Sequence, residues 1–199
     1  MNKENFVPLP RSFYEDHAVS VAKKLLGKIL VRVCEKGIMA GKIVEVEAYR
    51  GSDDPASHAY RGVCKRNKVM WGSPGVAYIY MIYGIHYCLN VVVEPKGVPA
   101  AVLIRALEPI KGVEIMKQNR RVNSIVDLTN GPAKLTQAFQ INLDFYGWDL
   151  TRGSILFIAH GEEIPENKIS SSSRIGIKEG KDKPWRFFIK GNPFVSKVY

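Results

Sequence analysis

Apolar positions recur at helical spacing first at Ala18, Val19, Ala22, Leu25 and Leu26, which predicts a helix over Ser12 to Leu26 closed by Gly27. The pattern then turns to strands: Ile29 to Val33, a turn at Lys36-Gly37, and Ile38 to Ala48. Strict alternation in the longer run places Ile43, Glu45 and Glu47 on one face and Val44, Val46 and Ala48 on the other. Arg50 to Lys68 is polar and rich in Gly, Asp and Ser, so it reads as a long loop, a kind that is often functional. Val76 to Tyr83, a tight turn at Gly84-Ile85, and His86 to Val93 read as a hairpin, and Ala100 to Leu107 as a buried strand. Val113 to Arg121 and Pro132 to Gln140 read as helices, with Pro132 suited to a first turn. Ile155 to Ala159, Ile175 to Ile177 and Trp185 to Ile189 are short late strands, and the run Ser170 to Ser173 reads as a loop. There is no internal repeat. Short strands with few helices predict an α+β fold: one compact domain over residues 1–199, built on a mixed, mostly antiparallel sheet.

Composition bounds the class. The 199 residues are 46% hydrophobic and 24% charged, which is globular rather than disordered. Cys34, Cys64 and Cys88 are odd in number, widely spaced and never in a Cys-x-x-Cys pair, so neither a disulfide framework nor a cysteine zinc site is expected. Met1 to Asp16 lacks the apolar core of a signal peptide. The longest apolar stretch, Val76 to Ile85, is half the ~20 residues of a spanning helix. These readings predict a cytoplasmic protein without a membrane partner.

Charge changes the picture further. Net charge is +10, from 29 Lys and Arg against 19 Asp and Glu, with basic clusters at Lys65-Arg66-Asn67-Lys68, at Arg120-Arg121 and across Lys178 to Lys190. Such a balance suits a polyanion, although many basic proteins bind none. No His-Glu-x-x-His motif, calcium loop, Walker loop, Gly-x-Gly-x-x-Gly or Gly-x-Ser-x-Gly is present, so no metal and no cofactor are expected.

The candidate chemistry lies in three places. Glu45 and Glu47 share a strand face, either solvated or with one lining a pocket where it polarises a water. Asn90 and Arg105 interrupt apolar strands, and buried polar groups need partners, structural or functional. Tyr78 and Tyr80 share a strand face, as core or as a platform for a base. Tyr83 has the opposite parity and sits at the hairpin tip, where an exposed side chain can enter a nucleic-acid groove.

Several ordered motifs together resemble one family. These are Val44-Glu45-Val46-Glu47-Ala48-Tyr49, His58 nine residues on, Tyr78-Ile79-Tyr80-Met81-Ile82-Tyr83-Gly84, Cys88-Leu89-Asn90 and Leu103-Ile104-Arg105-Ala106-Leu107-Glu108-Pro109. Gly131-Pro132-Ala133-Lys134-Leu135 and Arg174-Ile175-Gly176-Ile177 to Gly191-Asn192-Pro193 extend the match over nearly the whole chain. The chain resembles the alkyladenine (3-methyladenine or methylpurine) DNA glycosylases.

That resemblance implies an enzyme of base excision repair that flips a damaged purine from double-stranded DNA and hydrolyses its glycosidic bond, acting as a monomer without lyase activity. The substrates implied are 3-methyladenine, 7-methylguanine and hypoxanthine. Glu47 matches the general base and Arg105 a residue that helps hold the water. Tyr49, His58 and Tyr80 match the side chains that sandwich the base, and Asn90 the one that crowds the guanine amino group. Tyr83 matches the wedge of a hairpin that inserts into DNA. Beside it, Ile85 and the cations Lys65, Arg66 and Lys134 are expected DNA contacts. Two readings of the same residues stay open: a non-catalytic nucleic-acid-binding module, and hydrolysis of a free nucleoside, which leaves the charge and Tyr83 without a role.

Overall fold

The computed structural model describes residues 6–51 and 53–196. Of the stretches read from sequence, residues 1–5 of the amino terminus, residue 52 of the long loop and residues 197–199 lie outside those described. The architecture is α+β: three α-helices and a curled sheet whose strand pairings are all antiparallel among the described residues.

A 3-10 turn over Arg11–Tyr14 precedes α1, Ala18–Leu25. The predicted helix from Ser12 is therefore split. Asp16 and His17 divide it, because the Asp16 carboxylate accepts the His17 N–H and the His17 ring accepts the Val19 N–H at 3.3 Å, an N-cap that starts the helix afresh. Val21, Ala22 and Leu25 of α1 pack into the main core.

The sheet runs β3 (Ala77–Ile82), β4 (His86–Val92), β5 (Ala100–Lys111), β2 (Gly37–Arg50), β1 (Ile29–Cys34), β6 (Leu156–Ala159). Strand β2 is long enough to have two neighbours along one edge. Its first half pairs with β1, and Glu45 to Glu47 pair with β8 (Arg186–Ile189), which carries β7 (Ile169–Ser172) on its far side. Helices α2 (Val113–Arg120) and α3 (Pro132–Ala138) follow β5, with Pro132 in the first turn as predicted.

Two expectations are corrected in the late strands. Ser170 to Ser173 is not a loop through its length: Ser170, Ser171 and Ser172 pair with Phe188, Phe187 and Arg186. Conversely, Ile175 to Ile177 is an irregular segment, not a strand. Pairing with a distant strand decides both, and a polar serine run carries no periodic signal of it.

A third correction matters for the site. From Ile43↔Leu107 to Glu45↔Ala106, β2 advances two residues against one of β5, and from there to Val46↔Ile104 β5 advances two against one. The register thus shifts at Val44 and again at Arg105. Ile43 enters the main core with Val46 and Ala48 instead of sharing the face of Glu45 and Glu47. Bulges of this kind re-aim side chains: Arg105 stays on the face of Leu103 and lines the same cavity, while Leu107 beyond it turns into the main core with Ile104.

The hairpin loop begins one residue earlier than predicted, at Tyr83. With Ile82 opposite His86, the loop is Tyr83 (φ 52°), Gly84 (φ 73°) and Ile85, so it contains the predicted Gly84-Ile85 and takes in Tyr83 as well; the Ile85 N–H donates to the Ile82 carbonyl at 3.3 Å. A positive φ costs glycine nothing, which suits Gly84 to the middle of this loop.

Candidate active site

Both strand carboxylates are completely buried, which rules out the solvated face. Their surroundings separate them. Glu45 is saturated: Oε1 accepts from Arg105 Nε at 3.0 Å, Arg186 Nε at 2.7 Å and Ser196 Oγ at 2.8 Å, and Oε2 from the Ser196 N–H at 2.7 Å. Glu47 is held more lightly. Its Oε1 accepts the Ile175 N–H at 2.7 Å and its Oε2 the Tyr49 hydroxyl at 2.8 Å, with Arg105 Nη1 3.4 Å away. A carboxylate offers about four lone-pair directions, so Glu47 keeps capacity for one further donor.

Glu47 sits directly behind a cavity of about 630 Å³, whose lining includes three of its neighbours, Tyr49, Arg105 and Ile175. Tyr78, Tyr80, His58, Cys88, Asn90 and Leu103 line the same cavity. A cavity of that size with a few convergent polar groups is what a small-molecule or extruded-base site requires. The strands explain the convergence. Asn90 lies opposite both Tyr78 on β3 and Leu103 on β5, and Leu103 lies opposite Glu47 on β2.

Polar partners fix the aromatic wall. His58 Nδ1 lies 2.8 Å from the Tyr78 hydroxyl, and its ring meets Tyr80 edge-on at 4.6 Å. Burial, then the Arg66 charge, lowers the His58 pKa to about 4, so the ring is neutral at physiological pH. Asn90 Nδ2 donates to the Tyr78 carbonyl at 3.0 Å. Burial pushes the Tyr49 hydroxyl well up, and Glu47 beside it pushes further, so Tyr49 remains a donor to Glu47. Burial, then Cys88, raises Tyr80 likewise. Burial works against the Arg105 charge, yet Glu47 and Glu45 more than offset it and hold its pKa above the ordinary value.

The hairpin tip is open to solvent: Tyr83 is 88% exposed and Ile85 71%. Of the sequence-predicted residues, Arg105, Tyr49, His58, Tyr80, Asn90, Tyr83 and Arg66 line this cavity, and Glu47 does not line it but is bound to two of them, Tyr49 and Arg105. The Arg66 guanidinium lies 5.7 Å from the Tyr80 ring centroid. Lys65 is exposed on the loop beside it. Lys134 is tied to Asn130 at 2.7 Å and to Asp127 at 3.7 Å, and Ile85 lines a second groove with His86 and residues of α3. Sequence reasoning missed the Ile175 N–H on Glu47 and the Tyr78 hydroxyl on His58. Among the described residues no group of three or more His, Cys, Asp or Glu is arranged to hold a metal ion, and no helix is long and apolar enough to cross a membrane.

The family model for methylpurine-DNA glycosylase matches residues 12–193. The chain therefore belongs to the methylpurine-DNA glycosylase family, hydrolases that act as DNA N-glycosylases in base excision repair. Among its relatives, a protein of Carboxydothermus hydrogenoformans is 53% identical over 95% of this chain and 98% of its own length. A protein of Chlorobium phaeobacteroides is 47% identical over 96% of this chain and 97% of its own. One of Methanoculleus marisnigri is also 47% identical, over 95% and 98%. All three carry the name "Putative 3-methyladenine DNA glycosylase".

Proposed function

We propose that this protein flips a damaged purine, of the 3-methyladenine, 7-methylguanine or hypoxanthine class, out of double-stranded DNA and hydrolyses its N-glycosidic bond with a water activated by Glu47. The observation that carries the reading is a buried carboxylate with one unfilled acceptor position, lying behind an aromatic cavity beside an exposed hairpin tip.

Extruding a base costs a few kcal/mol, and less when the base is damaged or mispaired. Stacking on an aromatic returns roughly 1–3 kcal/mol per base. Tyr49, Tyr80 and His58 therefore suffice to hold an extruded purine, while Tyr83 fills the gap it leaves. Asn90, fixed through Nδ2 to the Tyr78 carbonyl, crowds a guanine amino group and disfavours normal guanine. Lys65, Arg66, Lys134 and the wider positive surface engage phosphates without selecting sequence, and Ile85 contacts DNA beside the wedge.

As the glycosidic bond breaks, positive charge develops on the sugar. Water enters between Tyr49, Arg105 and Ile175 and donates a hydrogen bond to Glu47. Glu47 takes its proton as the oxygen attacks the anomeric carbon, and the purine departs with the bonding electrons. Arg105, pinned by Glu45 through Nε, orients that water. Alkylated purines are electron-poor and leave readily, so hypoxanthine demands more of the site.

Water as nucleophile gives no Schiff base and no strand nicking, and the enzyme acts as a monomer on one lesion. The test is to incubate the protein with duplex DNA carrying an alkylated purine or hypoxanthine and to measure free base and intact abasic strand. Borohydride trapping of a protein–DNA adduct would contradict the monofunctional reading and direct attention to Lys178, an amine lining the cavity.

A further inference from the structure

An ion pair between residues 120 apart in sequence joins two walls of the cavity. The Arg174 and Asp54 side chains are both completely inaccessible. They meet as two forks, Nη1 to Oδ2 at 2.5 Å and Nη2 to Oδ1 at 2.6 Å, and Nη1 also donates to the Ala48 carbonyl at 2.9 Å. The guanidinium carbon lies 4.6 Å from the centroid of the Tyr49 ring and 5.3 Å from that of Trp185. The residue after Arg174 is Ile175, whose N–H holds Glu47 at 2.7 Å. Asp54 opens the turn that leads to His58, accepting the Ser57 N–H through its carbonyl and the Ala56 N–H through Oδ1. Gly180 (φ +67°) closes over the pair, and a Cβ there would lie 2.9 Å from Arg174 Nη2.

A buried ion pair adds little stability over apolar side chains of the same volume. What it supplies here is geometry at three points of one site: a fixed backing for Tyr49, a fixed N–H on Glu47, and a fixed root for the turn before His58. The geometry points to Arg174 and Asp54 as a positioning clasp for base excision, an inference that rests on the glycosylase reading above. Arg174 covers one face of Tyr49 and leaves the other for the extruded base. Neither residue touches the reacting atoms.

The test compares the parent with the Asp54→Leu/Arg174→Met double variant and with Arg174→Lys, which keeps the charge but cannot form the fork. Urea midpoints are read beside single-turnover base release as a function of enzyme concentration. The clasp predicts a parental midpoint for the double variant, a maximal rate about 30-fold lower and a half-saturating concentration within about threefold of the parent. Arg174→Lys is slowed in the same way, by about 10-fold. A double variant that folds and releases base within about threefold of the parental rate overturns the clasp. If it does not fold, the same criterion applied to Arg174→Lys decides. Hydrogen exchange of the Ile175 amide reads the clasp without substrate: protection in the parent that Arg174→Lys loses supports it, and equal protection overturns it. A parent that releases no base counts against the glycosylase reading, and the exchange experiment still judges the clasp.

Discussion

Glu45 and Glu47 are two residues apart and equally buried, yet replacing each by Gln should break a different property. Glu45→Gln keeps the shape and removes the charge between Arg105 and Arg186. Arg105 retains Glu47 at 3.4 Å, whereas Arg186 is left with no carboxylate among the described residues. Stranding a buried cation in this way costs about 3–5 kcal/mol, a large part of the 5–15 kcal/mol typical of a domain. Glu47→Gln leaves Arg105 its 3.0 Å bond to Glu45. It weakens two hydrogen bonds and one long ion pair, so the cost is about 1–2 kcal/mol. The measurement is urea unfolding of parent and both variants with a common m-value, read beside single-turnover base release. Glu45→Gln should be the less stable and still release base, and Glu47→Gln should be nearly native in stability and release none. A Glu47→Gln variant destabilised as much as Glu45→Gln would refute the reasoning. So would a well-folded Glu45→Gln variant without activity.

Titration of His58 gives a pH signature. Its pKa is about 4 in the folded chain against about 6.5 unfolded, so the unfolded state takes up the proton first as pH falls. Stability is complete above about pH 6.5 and declines towards pH 4. Allowing for solvent around this half-buried ring, the parent should lose about 2 kcal/mol more than His58→Gln between pH 7 and pH 4.5. Equal losses in urea unfolding would contradict this. Tyr83→Ala, at an 88% exposed position, should change stability by under about 0.5 kcal/mol while slowing excision from duplex DNA, which parallel unfolding and single-turnover assays would check. Unchanged excision would remove Tyr83 from the wedge role. Binding to undamaged duplex should fall with salt at a log–log slope near −4.5 for about five phosphate contacts, and Arg66→Ala should reduce that slope by about one, as salt titrations would show. An unchanged slope would remove Arg66 from the phosphate contacts.

The sequence carries what local pattern and ordered motif can carry. The hairpin, β5, the start of α3 and the residues around the cavity are legible because alternation, turn glycine and Pro132 each act over a few positions. Three features are not. The register shifts at Val44 and Arg105 depend on how β2 and β5 slide against each other, and without them Ile43 falls on the wrong face. The serine strand β7 exists through its pairing with β8. The distinction between Glu45 and Glu47 comes from Arg186, Ser196 and Ile175, which lie 128 to 151 residues along the chain from the carboxylates they bind. Arg174 and Ile175 stand within a recognisable motif, yet nothing local reveals that one grips Asp54 and the other Glu47.

Single-turnover release of free purine from alkylated duplex DNA, by the parent and by Glu47→Gln with binding measured in parallel, tests the central claim most directly. The account predicts release by the parent alone, with the two proteins binding DNA comparably. Equal release by both would contradict the role given to Glu47. Tight binding without release by either, on alkylated and on hypoxanthine DNA, would contradict the reaction itself.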